Sequence, residues 1–252
     1  MYSKVMEITM KWALILSMFM ISSSLYARNS DIAYKMMQKA EKHIYYVSKY
    51  SGNQETGWGT GFTVLDTKNK VRFITAGHVC EFRPDDLIHI NRTPDGKMTI
   101  IGDATVTQLS PVSDLCELTV TWKGKPVIWS DGLKITSKVT KDEYVYIVGY
   151  PKIPYMSATW GRLKGLETID LAANWPSKIS CLTTPKFHFH GQECYMKIKG
   201  FTTTAVTIGG GSGSLLLNQN GEVIAVVVVA GGSGWASSTT LSDLNKFLLS
   251  AP

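Results

Sequence analysis

The chain has 252 residues, a length that suits one domain or two small barrels that share an interface. Hydrophobic residues make up 44% of it, which excludes a largely disordered protein. The net charge is +6, but Lys and Arg are scattered and no long basic run occurs, which argues against a nucleic-acid-binding protein.

A targeting segment opens the chain. Lys4 and Lys11 precede the apolar stretch Trp12–Met20, and small residues follow up to Ala27. This arrangement is typical of a secretory signal, so we expect export to a secreted or periplasmic location and cleavage after Ala27. The alternative for residues 1–27 is an uncleaved membrane anchor, although the stretch is shorter than the ~20 residues of a membrane span.

The rest of the chain is dominated by short apolar runs that end at turn-forming residues. With 22 glycines, this texture favours an all-β sandwich or barrel. Helices are predicted from a cap at Ser30 or Asp31 to Lys42, and over Leu241–Leu249. The predicted strands are Ile44–Val47, Gly61–Leu65, Val71–Thr75, Leu87–Ile90, Met98–Ile101, Leu115–Thr121, Tyr144–Val148, Tyr195–Ile198, Thr203–Ile208, Ser214–Leu217 and Val223–Val229.

A histidine follows the third predicted strand, within the segment Phe73–Val79. There, an apolar run ends in small residues and then presents His78. Histidine is the usual general base in catalysis because its pKa lies near neutrality. His78 is therefore a candidate base, although a lone histidine after a strand is more often structural.

An aspartate opens the alternating strand that begins at Leu115. A buried carboxylate can fix the tautomer of a histidine and stabilise the imidazolium. Asp114 is the candidate for this role because the apolar strand behind it can hold it rigidly inside a core. Asp85, Asp86 and Asp103 compete for the role, and an ordinary turn aspartate is the structural alternative.

Glycines surround Ser212 in the segment Gly209–Ser214, which lies between two apolar strands. Glycine permits tight turns with positive φ. Such a turn can direct the N–H groups of Gly210 and Ser212 at one point, where they would stabilise the oxyanion of a tetrahedral intermediate. A flexible Gly/Ser linker would not lie between two apolar strands, and a phosphate-binding loop would need a Lys-Ser/Thr ending that is missing here.

Export makes disulfides an option for the four cysteines. Cys80 and Cys116 each lie two residues after a candidate catalytic residue, so they are expected to be close in space if those candidates form one site. Cys181 and Cys194 flank a short segment and could staple a hairpin. Four reduced, buried thiols are the alternative.

Cys181 and Cys194 also enclose His188 and His190, which alternate and could share one face of a strand. A structural zinc ion needs four such ligands, but this spacing matches no familiar zinc motif. A disulfide with two exposed histidines is the simpler interpretation. We therefore expect no metal site.

Several segments resemble the motifs of trypsin-like serine proteases. Thr75–Val79 is similar to their Thr-Ala-x-His segment, and Gly210–Ser214 is similar to their Gly-x-Ser-Gly-Gly segment. Further similar segments are Gly57–Phe62, Val148–Pro151, Asn220–Ile224 and Gly232–Ala236. The resemblance spans about residues 44–249 and is greatest to the HtrA-like and virus-encoded branch, without a PDZ domain.

The resemblance implies a chymotrypsin-like fold of two six-stranded antiparallel β-barrels, with a short N-terminal helix and a C-terminal helix. The protease domain would cover residues 28–252. Its first barrel would lie over about residues 44–123, its second over about 141–240, and its last helix over about 241–249.

The resemblance also implies a serine endopeptidase that acts on a protein or peptide substrate and needs no cofactor. Ser212 would attack the peptide carbonyl, His78 would take its proton and Asp114 would orient His78. The N–H groups of Gly210 and Ser212 would hold the oxyanion.

The same resemblance places the primary specificity pocket. Its lining would be Val206, Thr207, Val226, Val227 and Val228. None of these side chains is charged, and burying an unpaired cation costs several kcal/mol, so Lys and Arg are disfavoured before the cut. The stiff valines should narrow the pocket, which favours small or medium apolar residues there.

The segment around the serine departs from the family pattern. Ser214 occupies a position where glycine is usual, and Leu215 replaces the usual proline. Gly211 stands where trypsin-type zymogens have an aspartate, so activation through a new N-terminus is not expected. The alternatives to this interpretation are a catalytically inactive barrel that serves as a binding module and a virus-encoded protease that processes a polyprotein.

Overall fold

The computed structural model describes residues 26–80, 87–92, 97–152, 155–173, 194–231 and 235–250. Within these residues the chain forms two closed, six-stranded antiparallel β-barrels. Helix α1 covers residues 26–40 before the first barrel, and helix α2 (Leu241–Leu249) follows the second. The predicted all-β, two-barrel fold is therefore confirmed.

The first barrel is built from the strands before residue 123. Its strands are β1 (Ile44–Ser51), β2 (Gln54–Leu65), β3 (Val71–Ala76), β4 (Leu87–Arg92), β5 (Thr99–Ser110) and β6 (Leu115–Trp122), followed by the short β7 (Lys125–Pro126) and β8 (Leu133–Lys134). The order in the sheet is β1-β4-β5-β6-β3-β2, and the pairing of β1 with β2 closes it. Because β8 runs parallel to β2, the connection to the second barrel stays attached to the first.

The second barrel uses the remaining strands. They are β9 (Tyr144–Lys152), β10 (Tyr155–Ala173), β11 (Cys194–Thr203), β12 (Leu215–Leu217), β13 (Val223–Gly231) and β14 (Trp235–Ser238). Their order is β10-β11-β14-β13-β12-β9, and the pairing of β9 with β10 closes the barrel. Helix α2 has the predicted bounds, and Thr240 caps it by accepting the N–H of Asp243 at 3.0 Å.

The first half of strand β1, residues 44–47, is apolar without interruption because both of its faces are covered. Tyr45 packs on Phe73 of β3, with ring centres 5.4 Å apart. The next residue, Tyr46, packs edge-to-face on Tyr150 of β9 in the other barrel, at 6.1 Å. Since successive side chains of a strand point to opposite faces, β1 contributes both to its own barrel and to the interface between the barrels.

Helix α1 begins earlier than predicted. A cap was expected at Ser30 or Asp31, but helical structure already covers residue 26 and continues to residue 40. Tyr26 packs edge-to-face on Trp160 of β10 at 5.4 Å, and Asn29 is buried. Ser30 and Asp31 therefore lie inside the helix and do not cap it.

The strand predicted over Thr203–Ile208 is wrong beyond Thr203, where β11 ends. In this segment, threonine hydroxyls accept backbone N–H groups beside one remaining backbone bond, from Thr204 N–H to Arg162 O at 3.0 Å. The N–H of Arg162 donates to Thr204 Oγ1 at 2.8 Å, and the N–H of Ala205 donates to Thr203 Oγ1 at 3.0 Å. Such side-chain hydrogen bonds compete with strand pairing, so residues 204–208 are irregular.

The sequence analysis did not predict β10, although this strand has 19 residues. Two glycines interrupt its pattern. A Cβ added to Gly161 would lie 2.0 Å from the backbone nitrogen of Ala205, so the strand passes another segment very closely there. Gly165 has a φ of +144° and lies at a register shift against β11. A close approach and an irregular register remove the alternation on which a strand prediction depends.

Some predictions concern residues outside the described part of the chain. These are the targeting segment up to residue 25, and Cys181, His188 and His190. Among the described helices, none is both long and apolar enough to cross a membrane. The described side chains contain no group of three or more His, Cys, Asp or Glu that could hold a metal ion. Because Cys181 lies outside the described residues, the disulfide between Cys181 and Cys194 stays a prediction.

Candidate active site

Strands β3 and β6 bring the predicted histidine and aspartate together. They pair antiparallel with Ala76 opposite Leu115, so the residues just after β3 and just before β6 lie at the same end of the barrel. His78 lies in the single 3-10 turn Gly77–Cys80 that follows β3. Its Nδ1 lies 2.7 Å from Oδ2 of Asp114.

The carboxylate of Asp114 is held in one orientation. The residue is fully buried, and its Oδ1 accepts the backbone N–H of His78 at 2.7 Å. Its φ of +50° is a left-handed conformation, which aspartate adopts more readily than most residues. A Cβ added to Gly77 would lie 2.8 Å from Oδ1 of Asp114, so a larger residue there would push the carboxylate away. Both carboxylate oxygens thus face nitrogen atoms of His78, whose side chain is 23% exposed.

A disulfide joins the same two segments. It links Cys80 in the turn after β3 to Cys116 in β6, with Cα atoms 6.4 Å apart and a sequence separation of 36. Both cysteines are buried. The expected proximity of this pair is confirmed, and the alternative of reduced thiols is wrong for these two residues.

Of the three aspartates that compete with Asp114, Asp103 lies in the described part of the chain. Asp103 pairs with His89 instead, at 2.7 Å between Oδ1 and Nδ1, and its side chain is 67% exposed. Asp85 and Asp86 lie outside the described residues. Among the described aspartates, Asp114 is the one that contacts His78.

The turn that carries Ser212 is built from backbone hydrogen bonds. The N–H of Gly211 donates to Ile208 O at 2.9 Å, and the N–H of Ser214 donates to Gly211 O at 3.0 Å. Gly210 and Gly213 have φ values of +86° and +82°, which glycine adopts without strain. The glycine pattern of the sequence is therefore explained by two left-handed positions on either side of Ser212.

Strand β2 of the first barrel packs directly against this turn. The N–H of Thr60 donates to Ser212 O at 2.8 Å. A Cβ added to Gly59 would lie 2.6 Å from a methyl group of Val79 and 2.9 Å from Ser212 O. Val79, which follows His78, and Ser212 therefore both lie against Gly59. The interface between the barrels thus places the Ser212 turn beside the segment of His78.

Some backbone donors of the turn have no partner. Within the described part of the chain, the N–H groups of Gly211, Gly213 and Ser214 donate to backbone carbonyls, whereas those of Gly209, Gly210 and Ser212 have no partner. Of these three, Gly210 and Ser212 were predicted as the oxyanion donors. Unpaired N–H groups beside a candidate nucleophile are available to a substrate oxygen.

Comparison with known proteins agrees with this geometry. A family model described as a trypsin-like peptidase domain matches residues 59–226, which include strands of both barrels. The chain belongs to this family. The resemblance inferred from the motifs is confirmed, and the expected substrates of such a peptidase are proteins or peptides. No curated protein matches the chain.

Solved structures show the same fold as this trypsin-like peptidase. The active form of the Rv3671c protease from M. tuberculosis is 20% identical, with a TM-score of 0.60 over 86% of this chain and 83% of that chain. Deg5 is 16% identical, with a TM-score of 0.58 over 86% of this chain and 92% of that chain. At such identities the likeness concerns the fold alone.

The residues predicted to line the specificity pocket of the peptidase lie in different surroundings. Val226 and Val228 are buried in the larger core cluster, whereas Val227 between them is buried in the smaller core of the second barrel. Thr207 is also buried. It lies directly against Gly211, because a Cβ added to Gly211 would lie 2.1 Å from Thr207 Oγ1.

Val206 differs from the other predicted pocket residues because it is 43% exposed. It borders a cavity of about 550 Å³ between α1 and β10, together with Tyr34 and Trp160. Of the predicted pocket residues, Val206 alone lines this cavity, and His78, Asp114 and Ser212 do not line it. The pocket assignment stays a prediction.

Sequence reasoning missed Thr60, which is central to the site of the peptidase. Its side chain is fully buried, and it accepts the N–H of Tyr150 at 2.8 Å and the hydroxyl of Ser214 at 3.2 Å. It also missed Gly149, where an added Cβ would lie 1.9 Å from Ser214 Oγ. The departure at Ser214 was the available signal, because a buried hydroxyl in a position normally held by glycine needs both room and a partner.

Proposed function

We propose that this trypsin-like peptidase is a serine endopeptidase with His78, Asp114 and Ser212 as its catalytic triad. The observation that carries the proposal is the buried Asp114 bound to His78, next to a glycine turn that presents Ser212. This arrangement supplies the nucleophile, the base and the orienting carboxylate that acyl transfer requires.

The tautomer of His78 follows from its neighbour. An ionised carboxylate can only accept hydrogen bonds, so the Nδ1 that faces Asp114 carries a proton. Nε2 of the neutral ring then has a lone pair and takes the proton of Ser212 while Oγ attacks the peptide carbonyl. Asp114 stabilises the imidazolium that results.

The oxyanion of the tetrahedral intermediate would accept the N–H groups of Gly210 and Ser212. Each such donor lowers the barrier by about 3 kcal/mol. His78 gives its proton to the leaving amine, which breaks the C–N bond and leaves an acyl group on Ser212. Water then attacks this ester with His78 as the base, and the enzyme is regenerated.

The predicted lining of the primary specificity pocket is uncharged, which supports a preference for apolar residues before the cut. The predicted lining residues Val206, Thr207 and Val226–Val228 carry no charge to pair with Lys or Arg. We therefore expect cleavage after small or medium apolar residues such as Ala, Val or Leu. Digestion of a peptide library with identification of the cut sites tests this, and dominant cleavage after Lys or Arg would contradict the pocket assignment.

We propose that the protein is exported and that it keeps its N-terminal segment. Support comes from helix α1, which includes Ala27, and from Tyr26, which packs on Trp160. Cleavage after Ala27 would remove Tyr26 from the fold. The intact mass of the protein recovered from membrane and soluble fractions decides the matter, because a mature chain that begins at Arg28 would contradict retention.

A fluorophosphonate probe tests the nucleophile, since it bonds covalently to an activated serine. The parent protein should be labelled, and Ser212→Ala should lose both labelling and peptide hydrolysis by several orders of magnitude while staying folded. Ser130→Ala, which removes an exposed serine between the barrels, is the matched control and should label normally. Labelling of S212A would contradict the nucleophile, and a folded parent that does not label would favour an inactive binding module.

A further inference from the structure

Thr60 of the first barrel contacts the nucleophile turn of the second barrel through both its backbone and its side chain. Its N–H donates to Ser212 O at 2.8 Å. Its hydroxyl donates a hydrogen bond to Gly210 O at 3.5 Å. Thr75 Oγ1 in turn donates to Thr60 O at 2.7 Å, so the strand that makes these contacts is itself held in place.

The hydrogen bonds of the Thr60 hydroxyl leave it one direction in which to donate. A hydroxyl has one donor and two lone pairs. Here the lone pairs accept the N–H of Tyr150 at 2.8 Å and the hydroxyl of Ser214 at 3.2 Å. The proton of Thr60 Oγ1 therefore points to Gly210 O.

These contacts determine the orientation of the peptide groups beside the two predicted oxyanion donors. The peptide that joins Gly210 to Gly211 is bound at its carbonyl by Thr60 and at its N–H by Ile208 O. The peptide after Ser212 is bound at its carbonyl by Thr60 and at its N–H by a carbonyl of β13. Without the hydroxyl of Thr60, the left-handed Gly210 could rotate and carry its own N–H away from the substrate oxygen.

We propose that Thr60 is a positioning residue that holds the oxyanion donors of Gly210 and Ser212 in place from the opposite barrel. This inference rests on the proposed serine endopeptidase function and deepens it. Thr60 does not touch the reacting atoms and acts through the backbone of the turn.

Ser214 and Gly149 complete this arrangement in the chain. The buried Ser214 hydroxyl occupies the space in which a side chain of Gly149 would otherwise lie, and it directs its proton at Thr60. A family member with glycine at the position of Ser214 lacks this donor. The departure from the family pattern is thus explained as one member of a Thr60–Ser214 pair across the barrel interface.

The test compares Thr60→Val with Thr60→Ser and with Thr63→Val in the full chain. Thr63 is a matched control because it is also a buried threonine of β2, and its hydroxyl is hydrogen-bonded to His43 at 3.1 Å, outside the network of the turn. T60V should lower kcat by ~100-fold with KM changed less than about threefold, because an oxyanion donor acts in the transition state. T60S should restore most of the rate, and T63V should keep it.

A transition-state analogue provides the second measurement. The affinity for a peptide boronic acid, whose tetrahedral adduct occupies the oxyanion site, should fall in T60V roughly in parallel with kcat, whereas KM for the matching peptide should not. If T60V keeps the kcat and boronate affinity of T63V, the inference is overturned. If the parent protein is not labelled by the fluorophosphonate, the proposed function itself fails, which is a distinguishable result.

Discussion

The two halves of the proposed site are held in place in different ways. His78 and Asp114 belong to one barrel and are joined by side-chain hydrogen bonds of 2.7 Å and by the nearby Cys80–Cys116 disulfide. The Ser212 turn is held by backbone hydrogen bonds, one of them from the other barrel. The first half is therefore tested by changing a functional group, and the second half by adding an atom where the two barrels meet.

The largest effect is expected for Asp114→Asn. Asparagine tolerates the left-handed backbone of this position and keeps the shape of the side chain. Its amide group, however, can present a donor to Nδ1 of His78, which would favour the wrong tautomer, so kcat should fall by about four orders of magnitude. Steady-state hydrolysis of a peptide substrate measures this.

Asp142→Asn is the matched control for that variant. Asp142 also has a positive φ of +62°, but it is exposed. Its variant should retain the parent rate and stability. An Asp114→Asn protein that is folded and within tenfold of the parent would contradict the assigned role of Asp114.

The second half of the comparison is tested by Gly213→Ala. Gly213 has a φ of +82°, and an added Cβ would lie 1.9 Å from Thr60 O, a backbone atom of the other barrel. Strain and overlap together should lower the free energy of unfolding by about 2–5 kcal/mol. Urea unfolding followed by tryptophan fluorescence measures the loss.

Gly52→Ala separates strain from overlap. Gly52 has a φ of +59°, but nothing lies within 4 Å of its added Cβ. Its variant should lose about 1 kcal/mol from the backbone conformation alone. Equal losses at the two positions would show that the close approach of the barrels at Gly213 does not matter.

The disulfide should have a smaller effect than the overlap. Because the partners are separated by 36 positions in the sequence, the double variant Cys80→Ala/Cys116→Ala should lose about 2–4 kcal/mol of unfolding free energy, since the unfolded chain gains freedom. Equilibrium unfolding with and without dithiothreitol tests this. The difference between parent and variant should disappear under reducing conditions, and a difference that persists would show that packing of the side chains, rather than the bond, is responsible.

The smallest effect concerns pH and lies away from the site. Burial lowers the pKa of His43 below its ordinary value of 6.5, although Asp131 opposes this shift. The unfolded state therefore binds more protons than the folded state, and the free energy of unfolding should fall as the pH is lowered below about 6.5. His43→Gln should flatten this dependence in denaturation midpoints measured between about pH 5 and pH 8. The variant should leave the pH profile of turnover unchanged, and a profile that moves with it would link His43 to the site.

Much of the local structure could be predicted from the sequence. The bounds of α2 and the cores of β3 and β6 follow from apolar periods and turn residues over a few neighbouring positions. The glycines around Ser212 likewise indicated a turn with left-handed positions, since that requirement is local. Motifs of this kind also sufficed to predict the family and the two barrels, which the comparisons confirm.

Contacts between residues far apart in the chain could not be predicted in this way. The apolar strand behind Asp114 favoured it over Asp103 as a candidate, but its contact with His78 exists because β3 and β6 pair. The early start of α1, the end of β11 at Thr203 and the existence of β10 depend on packing against segments far away in the chain. Thr60 lies 150 residues from Gly210, and no local period or motif relates them. Their contact exists because two separately closed barrels pack together, and a hydrogen bond across that interface depends on how the barrels fit rather than on either segment alone.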